Sequence, residues 1–314
     1  MTDEIREVVV TSRVEHARDV VGFTFADRSG NALPDWQPGA HIDLLLPDGR
    51  VRQYSLCGSE DDGTWHIAVR NAPDGRGGSA WIHDNLNQGD VVRVRGPRNN
   101  FPLVSAPRYV FVAGGIGITP IIAMLRELER RGERNWRLTY GGRSRDSMAF
   151  LAELEGRADQ VTIAPQDETG LIDIPAALGQ PQIGTAVYCC GPEPLLKAVD
   201  RACRSWPPGT LRFERFTPVE TDTSGDEPFE VVAERSGVTV TVPPGVSILD
   251  ALADQGIHVA TSCGEGVCGT CETKVLEGEV DHRDSLLTED ERAANNVMMV
   301  CCSRARCPRL VLDV

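Results

Sequence analysis

The most restrictive chemistry in this chain belongs to its cysteines. Cys263, Cys268 and Cys271 stand as C-x4-C-x2-C in Cys263-Gly-Glu-Gly-Val-Cys268-Gly-Thr-Cys271, and Cys301 follows after 29 residues. Three thiolates from one loop and a fourth from a distant segment suit a [2Fe–2S] cluster. Such a loop must bring its own amides up to the sulfurs, and Gly264, Gly266 and Gly269 permit the close approach and positive φ this needs. A zinc site, which more often shows paired C-x2-C knuckles or histidines, and a set of disulfides are the competing readings. Cys302 adjoins Cys301, so on these grounds either is the fourth ligand. Cys57, Cys189, Cys190, Cys203 and Cys307 form no regular framework and read as reduced thiols.

Two more motifs point to cofactors. Arg52-Gln-Tyr54-Ser55-Leu56 closes a strand with a guanidinium, an aromatic face and hydroxyls on one edge, a set suited to a flat anionic ligand. Gly75-Arg76-Gly77-Gly78-Ser79 precedes a short helix, where free amides and Arg76 would cradle a phosphate. Further on, Gly114-Gly115-Ile-Gly117-Ile-Thr119-Pro120 is a Gly-rich turn between an apolar strand and an amphipathic helix. It lets a pyrophosphate approach the backbone beside a helix N-terminus.

The segments that must position these motifs fall into three patterns. From Ile5 to Leu103, six short β-branched or aromatic runs begin at Glu7, Val20, His41, Val51, Trp65 and Val91. They are separated by turns such as Pro47-Asp-Gly49, with a helix over 79–87, and predict a small closed antiparallel barrel. After Ala106-Pro107 the pattern becomes strand, turn, helix: strands at 109–113, 137–141, 160–163 and 185–190, helices at 121–131 and 148–154. That alternation predicts a doubly wound parallel sheet. Pro218 to Pro228 is polar and acidic and reads as a linker, followed by a hairpin from Phe229 turning at Ser236-Gly237 and a helix from Ser247 to Gln255. The expected domains are 1–104, 105–217 and 229–314, with 218–228 joining the last two.

The 314 residues are 41% hydrophobic and 25% charged, ordinary for a globular protein of two or three domains. The net charge of −14 is concentrated at the end of the chain, where residues 217–314 hold 18 acidic against 7 basic side chains. Nucleic acid is therefore not expected as a ligand, and a partner with a basic face is, unless the acidity serves only solubility. The opening residues are charged and acidic, unlike a signal peptide, and the apolar run from Tyr109 to Leu125 is interrupted by glycines and Pro120. A cytoplasmic monomer without membrane contact is expected.

In this order, Arg52-Gln-Tyr-Ser-Leu, Gly75-Arg-Gly-Gly-Ser, Gly96-Pro-Arg-Asn-Asn-Phe-Pro-Leu103, Gly114-Gly-Ile-Gly-Ile-Thr-Pro and Cys190-Gly191-Pro192-Glu-Pro resemble the ferredoxin reductase-like flavoenzymes. With the cysteine loop behind them, nearly the whole chain resembles the phthalate dioxygenase reductases, and within them the vanillate demethylase reductases. The resemblance implies a Greek-key flavin barrel, an α/β nucleotide domain and a β-grasp ferredoxin domain. It implies FMN held by Arg52, Tyr54, Ser55, Leu56, Arg76, Gly77, Gly78 and Ser79, with Phe216 over the flavin. It implies a nicotinamide dinucleotide on Gly114, Gly115, Gly117, Thr119, Pro120, Cys190, Gly191 and Pro192, the thiol of Cys190 being a contact and not a nucleophile.

At the segment where an acidic residue can serve NADH, this chain has Arg143, Ser144 and Arg145 before Asp146. NADH is expected there, with NADPH possible. The resemblance, through the family pattern Met-Val-Cys-x-Ser-Arg-Ala that stands here as Met299-Val-Cys301-Cys-Ser-Arg-Ala, implies Cys301 as the fourth cluster ligand, and no histidine replaces a ligand cysteine. The implied role is electron transfer from NADH through FMN and the cluster to a separate terminal oxygenase, of the Rieske non-haem iron class acting on aromatic compounds. A haem-thiolate monooxygenase acceptor, a non-catalytic redox carrier or sensor, and a diaphorase with a vestigial cluster are the alternatives. No acid or base is assigned, and Ser55 is a minor candidate for the flavin's reactive edge.

Overall fold

The computed structural model describes residues 4–73, 75–218 and 222–314, so Val219, Glu220 and Thr221 of the expected linker lie outside the described residues. Six strands, β1 (Ile5–Ala17), β2 (Val20–Asp27), β3 (Ala40–Leu45), β4 (Val51–Ser55), β5 (Trp65–Arg70) and β6 (Val91–Asn99), pair antiparallel in the order β4-β3-β6-β1-β2-β5. A bridge between Leu56 and Ile67 joins the two ends and closes the barrel. The alternation of β3 shows why it forms there: Ile42 and Leu44 are fully buried among Phe23, Phe25 and Trp65. Asp43 between them is also buried, and Arg95 (2.9 Å), Arg98 (2.5 Å) and Gln53 (3.1 Å) satisfy its carboxylate. Helix α1 (Gly78–Asn85) crosses after β5. The first strand, whose run begins at Glu7 in the sequence, extends to Ala17, since pairing with β2 continues through two shifts in register.

Beyond the barrel, β7 (Arg108–Gly114), β8 (Trp136–Gly142), β9 (Val161–Pro165), β10 (Thr185–Cys190) and β11 (Leu211–Glu214) form a parallel sheet in the order β11-β10-β7-β8-β9. Helices α2 (Ile118–Arg130), α3 (Leu151–Leu154), α4 (Gln166–Thr169), α5 (Ile174–Leu178) and α6 (Glu193–Cys203) flank it. The central strand is apolar throughout because both of its faces are covered. Val110 and Val112 pack with residues of α5 and α6, whereas Tyr109, Phe111 and Ala113 pack with Ile121, Ile122 and Leu125 of α2. Helix α2 begins at Ile118, three residues before its predicted start, so Thr119 and Pro120 lie in its first turn. The predicted helix at 148–154 shortens to α3 because Phe150 adopts a left-handed φ of 63° and sets its ring 4.5 Å from that of His16.

Barrel and sheet belong to one compact unit, Met1–Glu214, and share a core in which Val20, Cys57, Ala68 and Phe101 join the α2 face of the sheet. The Tyr188 hydroxyl fastens the connecting segment, donating to the Pro102 carbonyl (2.9 Å) and accepting from the Val104 amide (2.8 Å).

The second unit, Arg215–Val314, contains β12 (Phe229–Ala233), β13 (Val238–Val242), α7 (Ile248–Ala253), β14 (Glu272–Glu277), β15 (Val280–Asp281), α8 (Glu289–Ala294), β16 (Val297–Met299), β17 (Arg304–Ala305) and β18 (Arg309–Leu312). Its sheet order is β13-β12-β18-β14-β16, with β12 and β18 parallel at the centre and α7 packed into the core, a β-grasp arrangement. Among the described residues no helix is long and apolar enough to cross a membrane.

Asp226, within the expected linker, is nearly buried and paired with Arg283 (2.6 Å) and Arg304 (3.3 Å), and Arg304 lies over the Phe229 ring. Replacing Asp226 with Ala leaves Arg283 to Asp281 alone and Arg304 to backbone carbonyls, so a loss of about 1–3 kcal/mol is expected for this unit. Thermal unfolding of the holoprotein, followed by the visible absorbance of the cluster, measures it.

Candidate functional site

At the barrel edge, the Arg50 and Arg52 guanidiniums converge on the start of α1. Both donate to the Arg76 carbonyl, at 3.0 and 3.1 Å. Both also occupy the space where glycine side chains would stand: a Cβ on Gly77 would meet Arg50 Nη1 at 2.7 Å, and one on Gly78 would meet Arg52 Nε at 2.4 Å. The result is a cradle of two guanidiniums over the first amides of a helix, Arg50 also pairing with Asp48, and it fits a phosphate. Arg50 was not singled out from the sequence, although its position two residues before Arg52 on the same strand face was a usable signal.

Other expected flavin residues take different places. Ser79 Oγ accepts from the Ala72 amide (3.1 Å), which shapes the loop. Tyr54 is half-buried, and desolvation raises its phenol well above the ordinary range. Leu56 is fully buried, bridges to Ile67 and donates its amide to the Ala40 carbonyl (2.8 Å), so it closes the barrel. Phe216 is 41% exposed and belongs to the second unit.

At the carboxyl ends of the parallel strands, two turns press together. A Cβ on Gly117 would fall 2.3 Å from the Cys190 carbonyl oxygen, and one on Gly114 would fall 2.7 Å from Pro192 Cδ. Only glycine lets the Gly114–Gly117 and Cys190–Pro192 turns meet, while Gly115 faces open space. Thr119 spends its hydroxyl on the Ile116 carbonyl (2.9 Å), capping the turn. After β8, Arg143 is exposed, Ser144 Oγ bonds to Asp146, and Arg145 pairs with Glu168.

Between these two halves three side chains converge. Ser55 Oγ, at the end of β4, donates to Glu214 Oε2 at 3.4 Å, and Cys190 Sγ, at the end of β10, lies 4.0 Å from the same oxygen. Glu214 ends β11 in register with Cys190. The residue as a whole is half-buried but its carboxyl is crowded, and desolvation pushes its pKa up to about 8, partly offset by the Ser55 hydrogen bond. Burial, and then the adjacent Glu214 carboxyl, hold the Cys190 thiol well above its ordinary value, so it is no thiolate nucleophile. Glu214 was missed from sequence although it stands in Phe213-Glu-Arg-Phe216, because only Phe216 of that stretch was singled out.

In the second unit, Gly264, Gly266 and Gly269 have φ of 72°, 70° and 72°, which turns the loop's amides inward. The Glu265 amide donates to Cys263 Sγ (3.3 Å), the Cys263 amide to Cys268 Sγ (3.4 Å), and Thr270 Oγ1 lies 3.2 Å from Cys268 Sγ. The Cys263 thiol interacts with those of Cys268 and Cys301, and the Cys301 thiol with that of Cys271. Those thiol contacts first, and then the backbone amides, hold Cys263 far below the ordinary thiol range. Four thiols in mutual contact with amides aimed at their sulfurs fit a [2Fe–2S] cluster. The Cys302 thiol also reaches that of Cys301 and packs against Gly266, whose Cβ would stand 2.4 Å from its sulfur, and Cys307 lies away, bonded by the Glu279 amide (3.1 Å).

Glu214 predicts a pH dependence. Because its folded pKa is raised from 4.5 to about 8, folding keeps a proton that the unfolded chain releases. Its contribution is intact below pH 4.5, is lost as pH rises toward 8, and is constant above. Glu214→Gln cannot ionise, so its melting temperature should gain on that of the parent protein from pH 5 to pH 8. Melting curves across this range that keep a constant gap would refute the buried carboxylic acid.

Three family models match in sequence: an oxidoreductase FAD-binding domain over residues 7–102, an oxidoreductase NAD-binding domain over 111–201, and a 2Fe-2S iron-sulfur cluster binding domain over 231–306. The phenoxybenzoate dioxygenase subunit beta of Ectopseudomonas oleovorans is 43% identical over 95% of this chain and 94% of its own. The phthalate dioxygenase reductase of Burkholderia cepacia is 39% identical over 99% and 98%. A solved phthalate dioxygenase reductase, described as a modular structure for electron transfer from pyridine nucleotides to [2Fe–2S], superposes with a TM-score of 0.73 at 38% identity, covering 99% of this chain and 98% of that one. An intact type IV self-sufficient cytochrome P450 monooxygenase superposes with a TM-score of 0.92 at 45% identity over 99% of this chain, which spans 41% of that longer protein. The chain, with its flavin-binding barrel, nucleotide-binding sheet and [2Fe–2S] domain, belongs to the phthalate dioxygenase reductase family of flavin and iron–sulfur oxidoreductases.

Proposed function

We propose that this chain is the reductase component of a multicomponent oxygenase, drawing electrons from a pyridine dinucleotide and passing them to a separate terminal oxygenase. The observation that carries the reading is the convergence of Ser55, Cys190 and Glu214 between the phosphate cradle and the glycine turns. A flavin held there would supply conversion of an electron pair, delivered as hydride, into single electrons for a one-electron cluster. Arg50, Arg52 and the Gly77-Gly78 amides bind its phosphate, and two cations beside a helix end suit the terminal dianion of FMN. Ser55 orients toward the flavin's reactive edge, Cys190 fills the space where the nicotinamide approaches, and Glu214 holds a proton on its carboxyl at neutral pH. The Gly114–Gly117 turn binds the pyrophosphate.

The family resemblance supports domains of 1–104, 105–217 and 229–314, with 218–228 as the tether and Asp226 anchoring its far end. Cys263, Cys268, Cys271 and Cys301 hold the cluster. The protein acts as a cytoplasmic monomer, with no nucleic acid or membrane partner, and presents its acidic second unit to the oxygenase. A Rieske non-haem iron oxygenase acting on an aromatic compound is the proposed acceptor, in keeping with the dioxygenase relatives. The likeness to the reductase portion of a self-sufficient P450 favours a haem-thiolate acceptor as the second reading.

Reconstituted turnover with each acceptor class distinguishes the two. Raising salt from about 0.05 to 0.5 M should slow transfer several-fold if the acidic face docks the acceptor, and a flat salt profile would contradict that docking. Cys301→Ser should abolish the cluster's visible and EPR signals while leaving flavin reduction by dinucleotide intact, whereas Cys302→Ser should keep both. Loss of the cluster in Cys302→Ser with retention in Cys301→Ser would reverse the ligand assignment.

A further inference from the structure

Resting on the four-cysteine ligand set above, we propose that Arg292 and Asp284 are positioning residues for the cluster: through two successive peptide units they aim the Val267 amide at the Cys263 sulfur and so raise the cluster's reduction potential. A hydrogen bond from an amide to a cluster sulfur favours the reduced state, which carries one more negative charge, and such bonds are among the levers that set the potential.

The relay starts on α8. Arg292 Nη2 donates to the Asp284 carbonyl at 2.6 Å. The Ser285 amide belongs to the same peptide unit, and it donates to the Gly266 carbonyl at 2.9 Å. The Val267 amide in turn shares a peptide unit with that carbonyl. Both units are trans, so carbonyl and N–H point in opposite directions in each, and anchoring one group fixes the other. With the Gly266 carbonyl drawn toward Ser285, the Val267 N–H is turned to the inside of the loop. There it joins the Glu265 amide (3.3 Å) as a donor to Cys263 Sγ. A guanidinium at the head of such a chain polarises each bond that follows.

Asp284 holds its segment in the shape the relay needs. Its side chain has no solvent exposure, and Oδ1 accepts from the Leu286 and Leu287 amides at 2.9 and 2.8 Å, a turn that leaves the Ser285 amide to the loop. Oδ2 has no hydrogen-bond partner among the described residues, and His282 Nδ1 lies 3.8 Å from it. Arg292 Nη2 stands 3.8 Å from Oδ1, and among the described residues Asp284 is the one carboxylate paired with this guanidinium. Gly266 permits the approach of the two segments, since a Cβ there would stand 2.9 Å from Asp284 Cα.

Midpoint potentials of the cluster in the holoprotein, read from its reduced EPR signal during an electrochemical titration, test the relay. Asp284→Asn and Asp284→Ala lose the same charge, but Asn keeps an oxygen for the Leu286 and Leu287 amides, so the difference between the two variants reads positioning alone. The Ala variant should favour the oxidised cluster about tenfold more than the Asn variant, which is about 59 mV for one electron. Arg292→Ala should shift the parent equilibrium the same way by about tenfold, and Arg292→Lys should recover part of the shift. Arg306→Ala removes an exposed cation that lines the same opening as Arg292 and sits 3.8 Å from Glu279 and Asp281. It should shift the equilibrium less than about twofold. Parent-level cluster absorbance verifies that each variant is loaded, and if Asp284→Ala does not retain its cluster, the Arg292 series decides. Equal potentials in the Asn and Ala variants, or an Arg292→Ala shift no larger than that of Arg306→Ala, would overturn the relay and leave both residues as braces of the fold. A parent protein that assembles no [2Fe–2S] signal would remove the ligand set itself, and the relay with it.

Discussion

Tyr188 sits where two architectures become one, and the placement of the flavin and nucleotide machinery depends on how it is packed. Its ring lies against Phe111 (5.5 Å) within the sheet and against Phe101 (5.3 Å) from the barrel's exit segment. Its hydroxyl satisfies both a carbonyl and an amide of that segment. Leaving either group buried and unpaired would cost about 1–3 kcal/mol, so the segment has little freedom to detach. The shared core turns two modules that could otherwise rock against one another into a single body. Only in such a body can a serine from a barrel strand hold a defined distance to a glutamate from a parallel strand.

The electrostatics of that body are asymmetric in a useful way. Arg50 and Arg52 gather at the start of α1, while the junction of Ser55, Cys190 and Glu214 carries no fixed charge: Glu214 is neutralised by burial and Cys190 stays a thiol. The cations suit an anionic phosphate, and a neutral, desolvated middle would suit the hydride transfer proposed above. The second unit has the opposite character, with the chain's acidity concentrated on it.

Much of this was legible in the sequence because the constraints are local. The cysteine spacing, the Gly114–Gly117 turn and the alternating runs of the barrel each encode geometry within a few residues. The same holds for the hairpin at Ser236-Gly237, where a single glycine takes φ of 65°. What escaped was set by tertiary contact. Helix α6 carried signals that were passed over, with prolines at its start and Leu196, Val199 and Cys203 at helical spacing. Strand β11, at the edge of the sheet, had no comparable signal, and Glu214 at its end was passed over for Phe216. Leu56 was grouped with the flavin residues by its place in a motif, yet its side chain belongs to the barrel closure. Asp226 read as tether because it lies among polar residues, and only the fold brings Arg283 and Arg304 to it.

Gly266 decides where a neighbouring thiol can lie. Cys301 and Cys302 are adjacent in sequence, and their thiols are within reach of one another. A Cβ at 266 would stand 2.4 Å from the Cys302 sulfur and 2.9 Å from the Asp284 backbone, so the position takes only a residue without a side chain. Its φ of 70° sets the same requirement from the backbone, and one glycine thereby serves both the turn of the loop and the seat of the sulfur beside it.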